Sequence, residues 1–277
     1  MLPPDPSSAA RAEAIARDAF LDFYEAASPE DAAALRIRSG RIGRVGLIAL
    51  PGVGWTEFNR GMGFGEPLGK AEFGRIVRWL RTHGAPGWAL QMPLTALSNP
   101  IRGWLVEAGL APAGSGWAKH VRDAAPPVRP QRTDIEVRRL GTGAAEDFGR
   151  VAIEGFGLPP VLRRWFAALA GRSRWSVYAA YDGGAPAGVG AMFIADGLGW
   201  LGFDTTLPSH RGRGSQGALI AARVADGIGV GLRGFVAETA RSAAGRGPAP
   251  PSFRNYGRSG FSVAYVVVNY GPPPAGG

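Results

Sequence analysis

The chain has 277 residues, with 45% hydrophobic residues, 43 Gly, 23 Pro and a formal charge of +9. That length suits one large domain or two small ones, and the apolar fraction can build a core. The absence of cysteine excludes disulfides, thiolate nucleophiles and cysteine metal sites, and three scattered histidines (His83, His120, His210) without HExxH spacing offer no metal site.

In chain order, KAEFGRIVRWLRTHG from Lys70 has helical spacing and GWALQMP from Gly87 reads as a strand. NPIRGWLVEAGL is a helix stopping at Gly109, and SGWAKHVRD is a strand ending at Asp123. Asp123 to Asp134, DAAPPVRPQRTD, reads as an extended linker, giving segments 1–125, 126–133 and 134–270 and a loose tail, 271–277. IEVRRL from Ile135 alternates like a strand, and GAAEDFGRVAIEGF and PPVLRRWFAALAG have helical spacing. WSVYAAYDG, APAGVGAMFIAD and LGWLGFDTTL are strands with connections so short that they form an antiparallel meander, turning first at Asp182–Gly183–Gly184. Ile220, Val224 and Ile228 mark the buried face of the next helix; GFVAETA is a strand, PPSFRNYGRSGF a helix stopping at Gly260, and FSVAYVVVNY a final strand. Arg241 to Pro251 reads as a long internal loop. The first half repeats the order helix, strand, helix ending in Gly, strand, which suggests an internal duplication. The fold class is α/β, in the α+β sense of a mixed sheet.

No apolar run reaches the ~18 residues of a membrane helix, and MLPPDPSSAARAEA lacks the basic and apolar regions of a secretory signal. The expectation is a cytoplasmic protein without a membrane partner. All but two of the 31 basic residues are Arg, the side chain suited to bidentate anion recognition.

The sharpest local signal is Arg211–Gly212–Arg213–Gly214–Ser215–Gln216–Gly217, between a strand and a helix. Glycines there let a ligand approach the backbone, and the amides at the helix start form an anion nest suited to a phosphate or pyrophosphate. The stretch also spells GxGxxG, with Glu238 about twenty residues on. A dinucleotide fold does not follow: Leu207 to Arg211 separate the loop from its strand, and the preceding sheet is a meander rather than a βαβ repeat. Neither Lys70 nor Lys119 sits in a GK[ST] loop, and Arg213 occupies the first glycine position of a serine-hydrolase elbow.

Arg211, Gly214 and Gln216, with the order of elements over about 134–270 and the Asn255–Phe261 segment NYGRSGF, resemble the GNAT (Gcn5-related N-acetyltransferase) superfamily. Gln216 stands where the strict motif has Gly or Ala. EFNRGMGFG, Glu57 to Gly65, is similar to tandem bacterial members, and the first half resembles a GNAT lobe lacking the phosphate loop. The resemblance implies two tandem GNAT-like lobes, degenerate over 1–125 and complete over 134–270.

It also implies acetyl-CoA or another acyl-CoA as co-substrate, no metal, and direct transfer to the amine of a small molecule, with a protein amine as the alternative. Thr206, Leu207, Arg211, Gly212, Arg213, Gly214, Ser215, Gln216, Gly217 and Asn255 are its expected contacts. Pantetheine would lie where the strand ending at Leu207 splays from the strand around Glu238, the splay set by a bulge around Asp204–Leu207, with the Leu207 amide as oxyanion donor. Tyr256, four residues before Gly260, is the candidate acid for the leaving thiolate; Glu238 and Asp204 are candidate bases. Each has a plainer reading: a packing tyrosine, two solvated strand-end carboxylates, and for Asn255 a helix cap. Trp200 and Phe203 read as core or as pocket lining. The other functions in view are a catalytically silent acyl-CoA-binding module and a nucleic-acid binder, but no zinc finger, RNP-like aromatic run or lysine-rich arm supports the second. Monomer and homodimer both fit the sequence.

Overall fold

The computed structural model describes residues 6–65, 67–125, 134–241 and 248–273. In chain order the elements are α1 (Pro6–Glu25), α2 (Pro29–Ala34), β1 (Arg38–Ile42), β2 (Val45–Ala49), β3 (Arg60–Met62), α3 (Lys70–His83), β4 (Ala89–Pro93), α4 (Asn99–Glu107), β5 (Ala111–Pro112) and β6 (Trp117–Asp123). They continue with β7 (Glu136–Leu140), α5 (Ala145–Phe156), α6 (Arg163–Ala167), β8 (Trp175–Asp182), β9 (Ala185–Ala195), β10 (Leu198–Thr206), α7 (Ser215–Gly229), β11 (Gly234–Ala240), α8 (Pro251–Arg258) and β12 (Ser262–Gly271). Among the described residues no helix is long and apolar enough to cross a membrane.

Contacts divide the chain into two units that interleave in sequence: Met1–Lys119, Thr239–Pro250 and Val263–Gly277 form one, His120–Glu238 and Pro251–Ser262 the other. The first unit has an antiparallel meander, β1–β2–β3, then a parallel pairing of β3 with β4 across the α3 crossover. The chain's last strand, β12, pairs antiparallel with β4 through Gln91↔Asn269. Phe73, Ile76, Val77 and Leu80, spaced three and four apart, turn one face of α3 onto Leu47, Leu90 and Met92 of the sheet. Where β3 leads towards α3, a Cβ at Gly65 would stand 2.9 Å from the Ala10 Cα, so α1 packs directly on this connection.

The second unit repeats the plan: β7, β8, β9 and β10 are antiparallel, and α7 carries the chain across to β11, parallel to β10. Asp182 pairs with Ala185 across a two-residue turn, Gly183–Gly184, both with positive φ as a tight hairpin requires. Leu219, Ile220 and Val224 of α7 pack with Met192, Leu201 and Phe235 of the sheet and with Tyr256 and Phe261 around α8. Thus the duplication runs further than the sequence echo, because the first half also has the meander. The linker expected at 126–133 lies outside the described residues, as do 242–247 of the loop and 274–277 of the tail.

Candidate active site

All of the candidate chemistry lies in the second unit. There β10 and β11 are paired only over Leu198–Leu201 and Gly234–Ala237. Immediately beyond, the register of β10 against β9 shifts between Gly202 and Thr205. The bulge therefore takes in Phe203 and Asp204, overlapping the near end of the expected Asp204–Leu207 stretch. Phe203 sits in it with φ 56°, a conformation that disfavours bulky residues. Its ring is held by Phe166, Trp175 and Trp200 at centroid distances of 5.6, 5.8 and 5.7 Å. At Gly202 a Cβ would collide with the Trp200 ring. Trp200 and Phe203 thus form an aromatic cage that fixes the bulge, and neither lines the groove described below.

After the bulge β10 stays with β9, and its pairing with β11 has ended. The Leu207 amide donates to Ala187 O at 2.8 Å, so it cannot serve as the expected oxyanion donor. Backbone groups alternate along a strand, and the Thr206 amide therefore faces away from β9, towards the opening. Glu238 lies one residue past Ala237, the last of β11 paired with β10.

Below the opening, a short turn at Pro208–His210 leads into the loop. Gly212 (φ 78°) and Gly214 (φ 92°) take left-handed conformations, Gly214 as the N-cap of α7. The first helical bond runs from the Ala218 amide to Gly214 O, leaving the amides of 215–217 without intrahelical acceptors. The Ser215 hydroxyl is buried, with no partner among the described residues. Asp182 holds the loop from outside: its carboxylate meets His210 Nδ1 at 2.9 Å and accepts from Arg213 Nη1 at 2.7 Å. These contacts, His210 first, hold the Asp182 carboxyl below the usual range. Arg213 is thereby committed to an ion pair, whereas Arg211 lines the groove.

That groove has a volume of about 820 Å³. Thr205 and Thr206 form one wall, the loop and the start of α7 its base, and Arg254, Asn255 and Arg258 of α8 the other wall. Asn255 Nδ2 donates to Gln216 Oε1 at 2.8 Å and its Oδ1 accepts from Arg258 at 3.2 Å, tying α8 to the loop. Gln216 thus has a definite partner at the position where it departs from the strict motif.

Tyr256 is buried rather than in the groove, 1% exposed, and donates to Asp204 Oδ2 at 2.7 Å. Asp204 Oδ1 in turn accepts from Arg223 Nη2. Burial, and next the Asp204 charge, raise the Tyr256 pKa well above the ordinary tyrosine value. His120 stacks on Tyr256 (5.7 Å, 30°) and meets Phe253 at 5.0 Å. Burial lowers the His120 pKa to about 4 and keeps the ring neutral near pH 7. Of the three expected proton-transfer residues, Tyr256 and Asp204 are bonded to each other, and Glu238 lies on β11. Sequence reasoning missed Arg223; the available signal was an arginine set between Leu219, Ile220 and Val224 on an apolar helix face.

No protein-family model and no curated protein matches the sequence. Solved structures do. A GCN5-related N-acetyltransferase from Kribbella flavida has TM-score 0.61 and 16% identity, covering 100% of this chain and 98% of its own. One from Sphaerobacter thermophilus has TM-score 0.59 and 21% identity, covering 97% and 93%. The chain has the tandem GNAT fold. A tandem GNAT protein from the clavulanic acid biosynthesis pathway gives TM-score 0.55 and 16% identity over 95% of this chain and 96% of that one. At these identities the likeness establishes architecture, and the GNAT reading of the chemistry rests on the groove.

Proposed function

We propose that this GNAT-fold chain is an acyl-CoA-dependent N-acyltransferase, using acetyl-CoA and acting on the amine of a small molecule. The observation that carries this reading is the groove, which joins an opened pair of parallel strands to the bare amide end of α7. Its residues fit the co-substrate. Amides 215–217, the Ser215 hydroxyl, the loop glycine Gly212 and the cap glycine Gly214 suit a pyrophosphate. Arg211, Arg254 and Arg258 supply the opposing charge.

Bound acetyl-CoA supplies a thioester carbonyl, where attack by the amine nitrogen would form a C–N bond, break the C–S bond and release CoA as the thiolate, which takes its proton from solvent water. The Thr206 amide would offer that carbonyl oxygen a hydrogen bond. Glu238, one residue past the β10–β11 pairing and outside the groove lining, would take the proton lost by the amine through a water. Orientation in the groove would provide most of the rate gain. Tyr256 as proton donor to the thiolate would have to give up its bond to Asp204, so its role here is to support the strand.

Calorimetry with CoA, followed by thiol release from acetyl-CoA with a panel of amines, tests the proposal; the chain has no cysteine to react with the thiol reagent. Binding with amine-dependent release supports it, and no heat with CoA refutes it. A silent acyl-CoA-binding module is the second reading, favoured by the mutual commitment of Tyr256 and Asp204. It predicts binding with no release for any amine.

A further inference from the structure

We propose that Arg223 is a positioning residue, which holds the β10 bulge from within α7 and so fixes where the Thr206 amide faces the groove. The guanidinium is fully buried, 0% exposed, on the helix whose first turn forms the anion site. Its Nε donates to Leu219 O of its own helix at 3.0 Å. Nη1 donates to Ala191 O of β9 at 2.9 Å, and Ala191 pairs with Gly202, the last residue before the register shift. Nη2 reaches Asp204, inside the shifted segment. One side chain therefore grips the helix, the strand on the regular side and the bulged strand. Tyr256 closes the set by donating from α8 to the second Asp204 oxygen.

The sequence makes room for this clamp at Gly190, opposite the bulge. A Cβ there would stand 2.9 Å from Arg223 Cζ and 3.0 Å from Asp204 Oδ1. A buried ion pair is a poor source of stability, because desolvation offsets most of the attraction. Its value lies in geometry: a bulge with a left-handed phenylalanine has competing registers, and fixed donors select one.

The inference rests on the acyltransfer reading for its kinetic arm only. Arg223→Met alone would leave the Asp204 carboxylate buried without its cation and would also destabilise the fold. Arg223→Met with Asp204→Asn is therefore the deciding protein, since it removes both charges and keeps an acceptor for Tyr256. The first measurement is amide hydrogen exchange without ligand. Residues 202–207 should exchange at least ~10-fold faster than in the unaltered protein, while β8 keeps its protection. The second is kinetics with acetyl-CoA. kcat should fall about 10²-fold, the cost of a misplaced oxyanion donor, with KM changed less than about threefold because the phosphate loop is intact. Arg223→Lys should recover only a small part of kcat, since one ammonium cannot span the three acceptors. Unchanged exchange at 202–207, or unchanged kcat, in a double variant that melts like the unaltered protein would overturn the inference. If the unaltered protein binds CoA but acylates no amine, the acyltransfer reading fails and the exchange measurement decides alone.

Discussion

Tyr256→Phe separates two accounts of the tyrosine. The substitution removes one hydroxyl and little else, because the ring keeps its contacts with His120 and with Phe261 (5.1 Å). Lost with it is a buried 2.7 Å hydrogen bond to the carboxyl group that also pairs with Arg223. Bonds to charged groups are worth roughly 1.5–3 kcal/mol, so stability should fall by about 2 kcal/mol. Asp204 keeps its bond to Arg223, and the bulge keeps its clamp. In the buried-network account kcat therefore falls less than ~10-fold, whereas loss of a general acid costs ~10²–10⁴-fold. Urea denaturation and steady-state release of CoA, measured on the same preparation, read both quantities. A 100-fold loss of kcat with no loss of stability would refute the network reasoning and restore Tyr256 as the acid. The alkaline limit adds a check on sign. With the folded pKa raised, the hydroxyl contributes stability in full below the unfolded tyrosine value of about 10. That contribution drains away as pH climbs from there towards the folded value, and the Phe variant should lack this part of the alkaline loss.

Gly214→Ala forces an L-residue to φ 92° at the α7 cap, at a cost of about 1–2 kcal/mol, so titration should show CoA binding weakened roughly tenfold while kcat at saturation holds. His120 has a folded pKa of about 4 against an ordinary 6.5, so it contributes stability that is present above pH 6.5 and lost as pH falls from there to 4. Denaturation of His120→Phe across that range should show a flatter acid limb. In the first unit, the fully buried Asn59 donates to Leu50, Val53 and Trp55 carbonyls and accepts from the Leu50 and Ala85 amides. Asn59→Ala strands these groups and should cost on the order of 4 kcal/mol by denaturation, more than any exposed substitution in the same unit.

Legibility followed the strength of local periodicity. From Lys70 onward the elements lie within a few residues of their expected places, because helices such as α3 bury large apolar residues three and four apart. In the first 62 residues the signal was uneven. α1 does bury Ala12, Ile15, Ala16, Ala19, Phe20 and Phe23 three and four apart, a legible pattern diluted by alanine, whereas β1 is an RSGRI edge strand and β3 has only three residues. PPVLRRWFAALAG read as one helix but forms only five α-helical residues between two 3-10 turns. At the site, the loop and the parting strands were legible because glycine placement and topology are local signals. The place of Phe203 in the bulge, and the register it sets, were not. A phenylalanine at φ 56° contradicts its own propensity, and partners distant in sequence, the rings of Phe166 and Trp175 and the Arg223 guanidinium, make it tenable. The Leu207 amide was misread for the same reason, since a shift of register reverses which amides face the neighbouring strand.

The arginines around α7 show why charge alone does not specify a binding site. Arg211, Arg213 and Arg223 lie within thirteen positions on a chain of net charge +9, and composition treats them alike. Solvent access divides their work. Arg211 faces the groove, where a cation remains available to a phosphate. Arg213, two residues on, is drawn outward to Asp182 and stiffens the loop instead of serving the ligand. Arg223 is withdrawn from water altogether and acts on strand geometry through hydrogen bonds. A guanidinium suits all three tasks because its five donors form a planar fork. Removing Arg211 should therefore weaken CoA binding in a salt-dependent manner, whereas removing Arg223 should act on turnover at any ionic strength, since salt screens exposed charges far more than buried pairs.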